Sequence, residues 1–187
     1  NIASKLTNLG FYECYNLSFG SLSDSNIFTP ERKAVTVSNP LDESQKYLRT
    51  SSIPNLIKNI ITNDKIGNDS VPIFEIGYSF INAPSSYDDT IPTQNNYLSL
   101  AIPASLTNSD KRKESINFDL YNLKNTINEL FGVDFTYQIL SRPGLHTKQS
   151  YTIFMDELNI GWMGKVSNES LNYFNMKKNI FIAEINL

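Results

Sequence analysis

The hydrophobic pattern of this chain switches repeatedly between a helical and an extended period. Ile2, Leu6 and Leu9 share one helical face, and Gly10 is a natural stop after them. Residues 11–19 alternate instead. Phe11, Tyr15, Leu17 and Phe19 fall on one side, with Glu13 as the exception, and Tyr12, Cys14, Asn16 and Ser18 on the other, which predicts a strand. Residues 21–33 are polar and read as loop with a short helical turn, and Val35 and Val37 mark a brief strand. A turn at Asn39-Pro40 leads into an extended stretch ending in Leu48-Arg49-Thr50. Ser52 then stands where a hydroxyl can accept from a free amide of a first helical turn, and Pro54 falls inside that turn, where its missing N–H costs nothing. Leu56, Ile57, Ile60 and Ile61 make one apolar stripe at helical spacing.

Further along, residues 71–81 predict a strand with Phe74, Ile76, Tyr78 and Phe80 on one side. Residues 82–96 carry Pro84, Pro92, serines and Asp88-Asp89, and read as a long surface loop. A strand over 97–104 points Leu98, Leu100 and Ile102 inward. Asn117 or Asp119 can cap a helix with Leu120, Leu123, Ile127, Leu130 and Phe131 on one face, closed by Gly132. Residues 135–140 predict a strand, 151–155 and 159–166 a hairpin about Asp156-Glu157, 169–174 a short helix, and 180–187 a last strand. The sum is α+β: one domain over residues 1–187, with a mostly antiparallel sheet flanked by helices.

Composition narrows the picture. With 187 residues, of which 40% are hydrophobic, the chain can bury a core of its own. A formal net charge of −3 does not advertise a phosphate-gripping surface, although a local basic patch escapes that number. Cys14 is the lone cysteine and His146 the lone histidine, so an internal disulfide and Cys- or His-cluster metal sites are excluded. No apolar run approaches the roughly 20 residues of a membrane helix. The chain starts at Asn1 without a methionine or a signal pattern and ends inside an apolar run, so it is expected to be a piece of a longer protein.

Four blocks, in order, carry a resemblance. They are Leu9-Gly10-Phe11-Tyr12-Glu13 running into Asn16-Leu17-Ser18-Phe19; Asn39-Pro40 through Leu48-Arg49-Thr50-Ser51 to Pro54 and Leu56; Phe74-Glu75-Ile76-Gly77 followed by Phe80; and a final set. That set runs from Phe118-Asp119-Leu120 and Lys124 through Leu145-His146 and Ile160-Gly161-Trp162-Met163-Gly164 to Ala183-Glu184-Ile185-Asn186-Leu187. The chain thereby resembles the catalytic-like domain of phenylalanyl-tRNA synthetase beta subunits. It departs from them at His146-Thr147-Lys148-Gln149-Ser150, where the family usually has His-Pro-Gly-Arg-Ser, and at Gly77-Tyr78-Ser79-Phe80, where Gly-Arg-Val-Phe is frequent. A proline is common in the family just before the short last helix, where Asn168 stands here.

The resemblance implies a class II aminoacyl-tRNA synthetase-like fold and a cytoplasmic protein. It implies an alpha-subunit partner in an (αβ)2 heterotetramer whose alpha subunit charges tRNA with phenylalanine using ATP and magnesium. tRNA would be bound through other parts of the full protein. In that class, one arginine in a strand–loop–strand motif and another after a Gly-x-Gly-x-x-Arg turn hold ATP, because fixed guanidinium forks neutralise the triphosphate. The arginines here are Arg32, Arg49, Arg112 and Arg142; none follows Gly161 or Gly164 at that spacing, and residues 81–84 offer no arginine or glutamate. The expectation is therefore a domain that copies the catalytic fold without catalysing, with no catalytic, cofactor or metal residues of its own. An active class II domain is the alternative, told apart by ATP–pyrophosphate exchange. A free-standing RNA-binding module is a third reading, told apart by a basic patch and salt-dependent binding.

Other constellations point less far. Cys14 with His146 could form a nucleophile pair, but a thiol in mid-strand reads as buried and structural. Gly161-Trp162-Met163-Gly164 has the spacing of a KH-type loop; that loop joins helices, whereas this segment reads as strand, so the glycines mark close backbone packing or a bulge. The run Asp110-Lys111-Arg112-Lys113-Glu114 reads as an RNA contact or as a solvated loop of mixed charge. Two sets of residues stand out. Glu75, mid-strand and turned away from Phe74 and Ile76, needs a partner if buried, and Arg49 is the candidate. The first helix carries only Lys5 as a charge, so Ile2, Leu6, Leu9, Tyr12 and Cys14 are the candidate alpha-subunit interface.

Overall fold

The computed structural model describes residues 1–68, 70–84, 91–107 and 115–187. The Asp88-Asp89 pair and the charged run around Arg112 lie outside them. Helix α1 (Ile2–Asn8) is capped by the Asn1 side chain, which accepts from the Ala3 amide. Strand β1 is only Tyr12–Glu13, and β2 is Phe19–Gly20. The polar stretch expected as loop with a short helical turn contains helix α2 (Leu22–Phe28), begun by the Ser21 side chain accepting from Asp24 N. A 3-10 turn at Glu43–Gln45 precedes β3 (Tyr47–Leu48), which pairs with β2, and the brief strand about Val35 is a single bridge between Thr36 and Tyr47. Helix α3 (Ile53–Lys65) buries Ile53, Leu56, Ile57 and Ile60, each worth roughly 2 kcal/mol of apolar transfer.

The long strands follow. β4 (Ile73–Pro84) and β5 (Pro92–Pro103) form a hairpin in which the strands run well into the stretch expected as loop. The small pair β6 (Ser105–Thr107) and β7 (Ser115–Asn117) leads to α4 (Leu120–Phe131). Asp119 caps α4 in a reciprocal box with Asn122, and Gly132 closes it. β8 (Thr136–Ile139), β9 (Leu145–Met155) and β10 (Leu158–Val166) are antiparallel neighbours; α5 (Asn168–Tyr173) then turns the chain into β11 (Ile180–Asn186).

β1, β4, β5, β11, β10, β9 and β8 make one seven-stranded sheet in that order. β1 lies parallel to β4 and every other pairing is antiparallel. The last strand in sequence is thus central, and both its faces are buried. Phe181, Ala183 and Ile185 join Leu98, Leu100 and Ile102 in a core under Leu6 of α1 and Leu123, Ile127 and Leu130 of α4. Ile180 and Ile182 join Ala101 and Trp162 in a second core under α2, α3 and α5. Among the described residues no helix is long and apolar enough to cross a membrane.

Two local expectations are corrected. The strand over 11–19 stops at Glu13 and extended pairing returns only at Phe19 in β2, and Tyr15 and Leu17 between them are exposed. Cys14 N still donates to Phe74 O, but Asn16 then turns inward to the Glu75 carboxylate, so the chain peels off β4 and its alternation has no sheet to face. Ser52 does not cap α3 through its side chain; the Ser51 hydroxyl accepts from Ile53 N instead. Ser52 Oγ is occupied by Ser99 Oγ, 3.0 Å away.

Candidate functional site

The β4–β5–β11 register sets Glu75 opposite Ser99 and Ser99 opposite Glu184. Two carboxylates therefore stand in one row across three strands, with a serine between them, on the face covered by α3. All three residues are buried, and a buried carboxylate requires neutralisation. The run Arg49-Thr50-Ser51-Ser52 lies over this row. Its backbone is pinned at Arg49 on both sides: Arg49 N donates to Ser18 O, and Phe80 N donates to Arg49 O.

Arg49 Nη1 donates to Glu75 Oε1 at 2.6 Å, and Arg49 Nε donates to Tyr78 O at 3.0 Å. Asn16 Nδ2 donates to Glu75 Oε2 at 2.8 Å. Gly77 makes room for this pair, since a Cβ there would stand 2.6 Å from Arg49 Nη2. Ser51 Oγ donates to Glu184 Oε2. The other Glu184 oxygen accepts from Arg32 Nη1 at 2.7 Å, and that nitrogen also donates to Thr50 O at 2.8 Å. Thr29 Oγ1 and Thr50 Oγ1 meet at 2.6 Å, and the Arg32 guanidinium stacks 4.8 Å from the Tyr97 ring centre. Burial works against the Arg32 charge, but Glu184, with Tyr97 and Glu31, outweighs it and leaves the pKa above the ordinary guanidinium value.

The sequence reading brings together Arg49 and Glu75, and the structure places them in contact. It missed Arg32 and Glu184, which are 152 positions apart. The only available signal was a lone glutamate inside the apolar run Ile182-Ala183-Glu184-Ile185, which demands a partner if that run is a central strand. The candidate interface residues separate. Leu6 is wholly buried beneath α4, where Lys5 Nζ donates to Leu130 O at 2.8 Å, so Leu6 offers no surface to a partner. Ile2 packs against the same core. Leu9 and Tyr12 remain on the surface, 40% and 60% exposed. Cys14 is half-buried rather than sealed in a strand, and burial pushes its thiol pKa up, with Glu75 and Glu13 adding to the rise against a hydrogen bond from Asn59. Gly161 lies within β10, where a Cβ would collide with Glu184 O; it marks close strand packing, not a loop.

Chemically, this network is closed. Arg32 holds Glu184, Arg49 holds Glu75, and Arg142 holds Glu31 at 2.6 Å while lying over the Trp162 ring. Every described arginine is thus committed to a carboxylate, and none is aimed into open space as a phosphate clamp. Among the described residues, no group of three or more His, Cys, Asp or Glu side chains could hold a metal ion. The arrangement neutralises and locks the covered sheet face.

Comparison with known proteins agrees with the fold and its ancestry. The pyrrolysyl-tRNA synthetase of Desulfitobacterium hafniense superposes with a TM-score of 0.69 over 99% of this chain and 63% of its own, at 15% identity. The fold is therefore that of a class II aminoacyl-tRNA synthetase. The beta subunit of phenylalanine–tRNA ligase from Syntrophus aciditrophicus is 31% identical over 97% of this chain and 24% of its own length. The beta subunit from Thermotoga maritima is 27% identical over 100% of this chain and 23% of its own. The chain thus spans about a quarter of the curated relatives it matches. The model of the phenylalanyl tRNA synthetase beta chain CLM domain matches residues 1–187, and the chain belongs to that family.

Proposed function

We propose that this domain is the non-catalytic, catalytic-like part of a phenylalanine–tRNA ligase beta subunit, a single unit of a longer chain. It supports an alpha subunit that charges tRNA with phenylalanine in the cytoplasm. The observation that carries this reading is the commitment of Arg32 and Arg49 to Glu184 and Glu75 on the covered sheet face. Clamping a triphosphate would require breaking a buried ion pair, which leaves an uncompensated charge and costs about 3–5 kcal/mol. In this reading ATP and magnesium are bound by the alpha subunit, tRNA mainly by other modules, and the assembly is an (αβ)2 heterotetramer.

The surface offered to the alpha subunit is the β1 edge of the sheet. A cleft of about 830 Å³ there is lined by Leu9, Phe11, Tyr12, Val71 and Ile116 among others. β1 is two residues long and has β4 as its only sheet neighbour, so its other edge is open among the described residues. Calorimetry with ATP, magnesium and phenylalanine tests the reading on the isolated beta subunit and on the αβ assembly. The expected result is binding by the assembly and none by the beta subunit. A micromolar dissociation constant for the beta subunit alone, about −8 kcal/mol, displaced by an aminoacyl-adenylate analogue, overturns it.

A further inference from the structure

On the sheet face opposite the closed network, the first turn of α4 and strands β9, β10 and β11 enclose a cleft of about 420 Å³. Lys124, Lys148 and Lys165 line it together with Tyr121, Tyr151 and Phe181. Among the described residues its one acidic lining residue is Asp119, whose carboxylate already accepts from Asn122 N as the helix cap. Three lysines against one aspartate leave the described lining at +2, although the whole chain is at −3.

None of the three lysines forms an ion pair among the described residues, whereas Lys46, Lys58 and Lys178 all do. Lys124 is held in place without a carboxylate: its ammonium lies 3.9 Å from the Tyr151 ring centre and 4.8 Å from that of Tyr137. Burial lowers its pKa. Lys165 is set beside Phe181 by the β10–β11 register. On the rim, Tyr121 is 75% exposed and makes no ring contact among the described residues.

We infer that this cleft is an RNA-binding site, in which Lys124, Lys148 and Lys165 take backbone phosphates and Tyr121 stacks on a base. Unpaired lysines interleaved with an exposed ring are the combination that holds a nucleic-acid strand, because phosphate contacts supply charge neutralisation and the ring supplies a sequence-tolerant platform. An acidic peptide would satisfy the lysines but gives the exposed Tyr121 ring no planar partner. The inference rests on the chain being part of a tRNA-charging enzyme, and adds to that reading a contact made by this domain itself.

The test uses the full-length beta subunit assembled with its alpha subunit, and its tRNA as the probe. Fluorescence anisotropy is read across a series of potassium chloride concentrations. Lys148→Gln with Lys165→Gln, both at the surface or half-buried, is expected to weaken binding roughly tenfold and to flatten the slope of log K against log salt by about 1.5, at 0.7–0.9 per phosphate lost. Tyr121→Ala is expected to weaken binding about fivefold or more with the slope unchanged. Unchanged values in all variants, with the unsubstituted assembly binding normally, overturn the cleft alone. No tRNA binding by the unsubstituted assembly overturns the functional reading, and the cleft with it. Normal tRNA binding with loss of αβ assembly overturns RNA in favour of an acidic protein surface.

Discussion

Arg49 Nη1 lies 2.6 Å from Glu75 Oε1, with both side chains 4% exposed. The arginine precedes a helix and the glutamate sits in mid-sheet, so the pair fixes where α3 enters relative to β4. Asn16 and the Tyr78 carbonyl complete the shell, leaving neither charge without hydrogen-bond partners. That completeness is what makes a buried pair tolerable, since desolvation of two ions otherwise exceeds their attraction.

Removing one partner is therefore worse than removing both. Glu75→Ala is expected to destabilise the domain by about 3–5 kcal/mol, read as the change in urea midpoint. Arg49→Met combined with Glu75→Leu is expected to cost less than either single truncation. Additive losses in that cycle would mean that the two groups are not coupled.

Gly77 gives a second handle on the same pair. Gly77→Ala puts a methyl 2.6 Å from Arg49 Nη2, whose guanidinium cannot swing away while Glu75 and Tyr78 O hold it. The substitution is expected to cost about 1–3 kcal/mol by overpacking. The same substitution in an Arg49→Ala background is expected to cost well under half of that. Equal costs in the two backgrounds would place the strain elsewhere.

Tyr137 links stability to alkaline pH. Burial, with Asp134 adding to it, pushes its phenol up to about 12. Its hydroxyl donates to Asn128 Oδ1 at 2.8 Å. The unfolded phenol ionises near its ordinary value of about 10, so between the two values the folded state holds the proton and the unfolded state has lost it. The contribution is full below about 10 and is lost as pH rises toward 12. Tyr137→Phe is expected to remove this part of the alkaline loss. Urea midpoints from pH 8 to 11.5 that fall in parallel for both proteins would contradict it.

Leu9 and Tyr12 are exposed on the β1 edge, whereas Leu6 beside them is core. Leu9→Glu with Tyr12→Glu is expected to leave the melting temperature within about 2 °C and to abolish assembly with the alpha subunit in the full-length protein. A surface change of this kind alters stability by no more than about 0.5 kcal/mol. Normal assembly removes this edge from the proposed interface. Leu6→Glu serves as the contrast, since it is expected to unfold the domain.

What the sequence determined by itself was local. The helix over 120–131 was legible at both ends because Asp119 and Gly132 act through their own neighbouring amides and carbonyls, and because Leu123, Ile127 and Leu130 repeat at the helical period. The hairpin about Asp156-Glu157 and the strands expected over 71–81 and 97–104 were legible from their alternation, whereas 82–84 and 92–96, expected as loop, are the outer parts of the β4–β5 hairpin. The partnership of Arg49 and Glu75 could be inferred because a charge buried in an apolar strand needs an opposite charge beside it. Where alternation had no sheet to face, as at Tyr15 and Leu17, the pattern misled, since periodicity carries no information about whether a ladder partner exists. Whether Ser51 or Ser52 capped α3 was decided by Ser99, which claimed the second hydroxyl from across the sheet. Arg32 and Glu184, the lysines of the cleft, and the loss of Leu6 to the core likewise followed from packing. Residues more than a hundred positions apart meet only after the central strand has been placed, and no local propensity encodes that meeting.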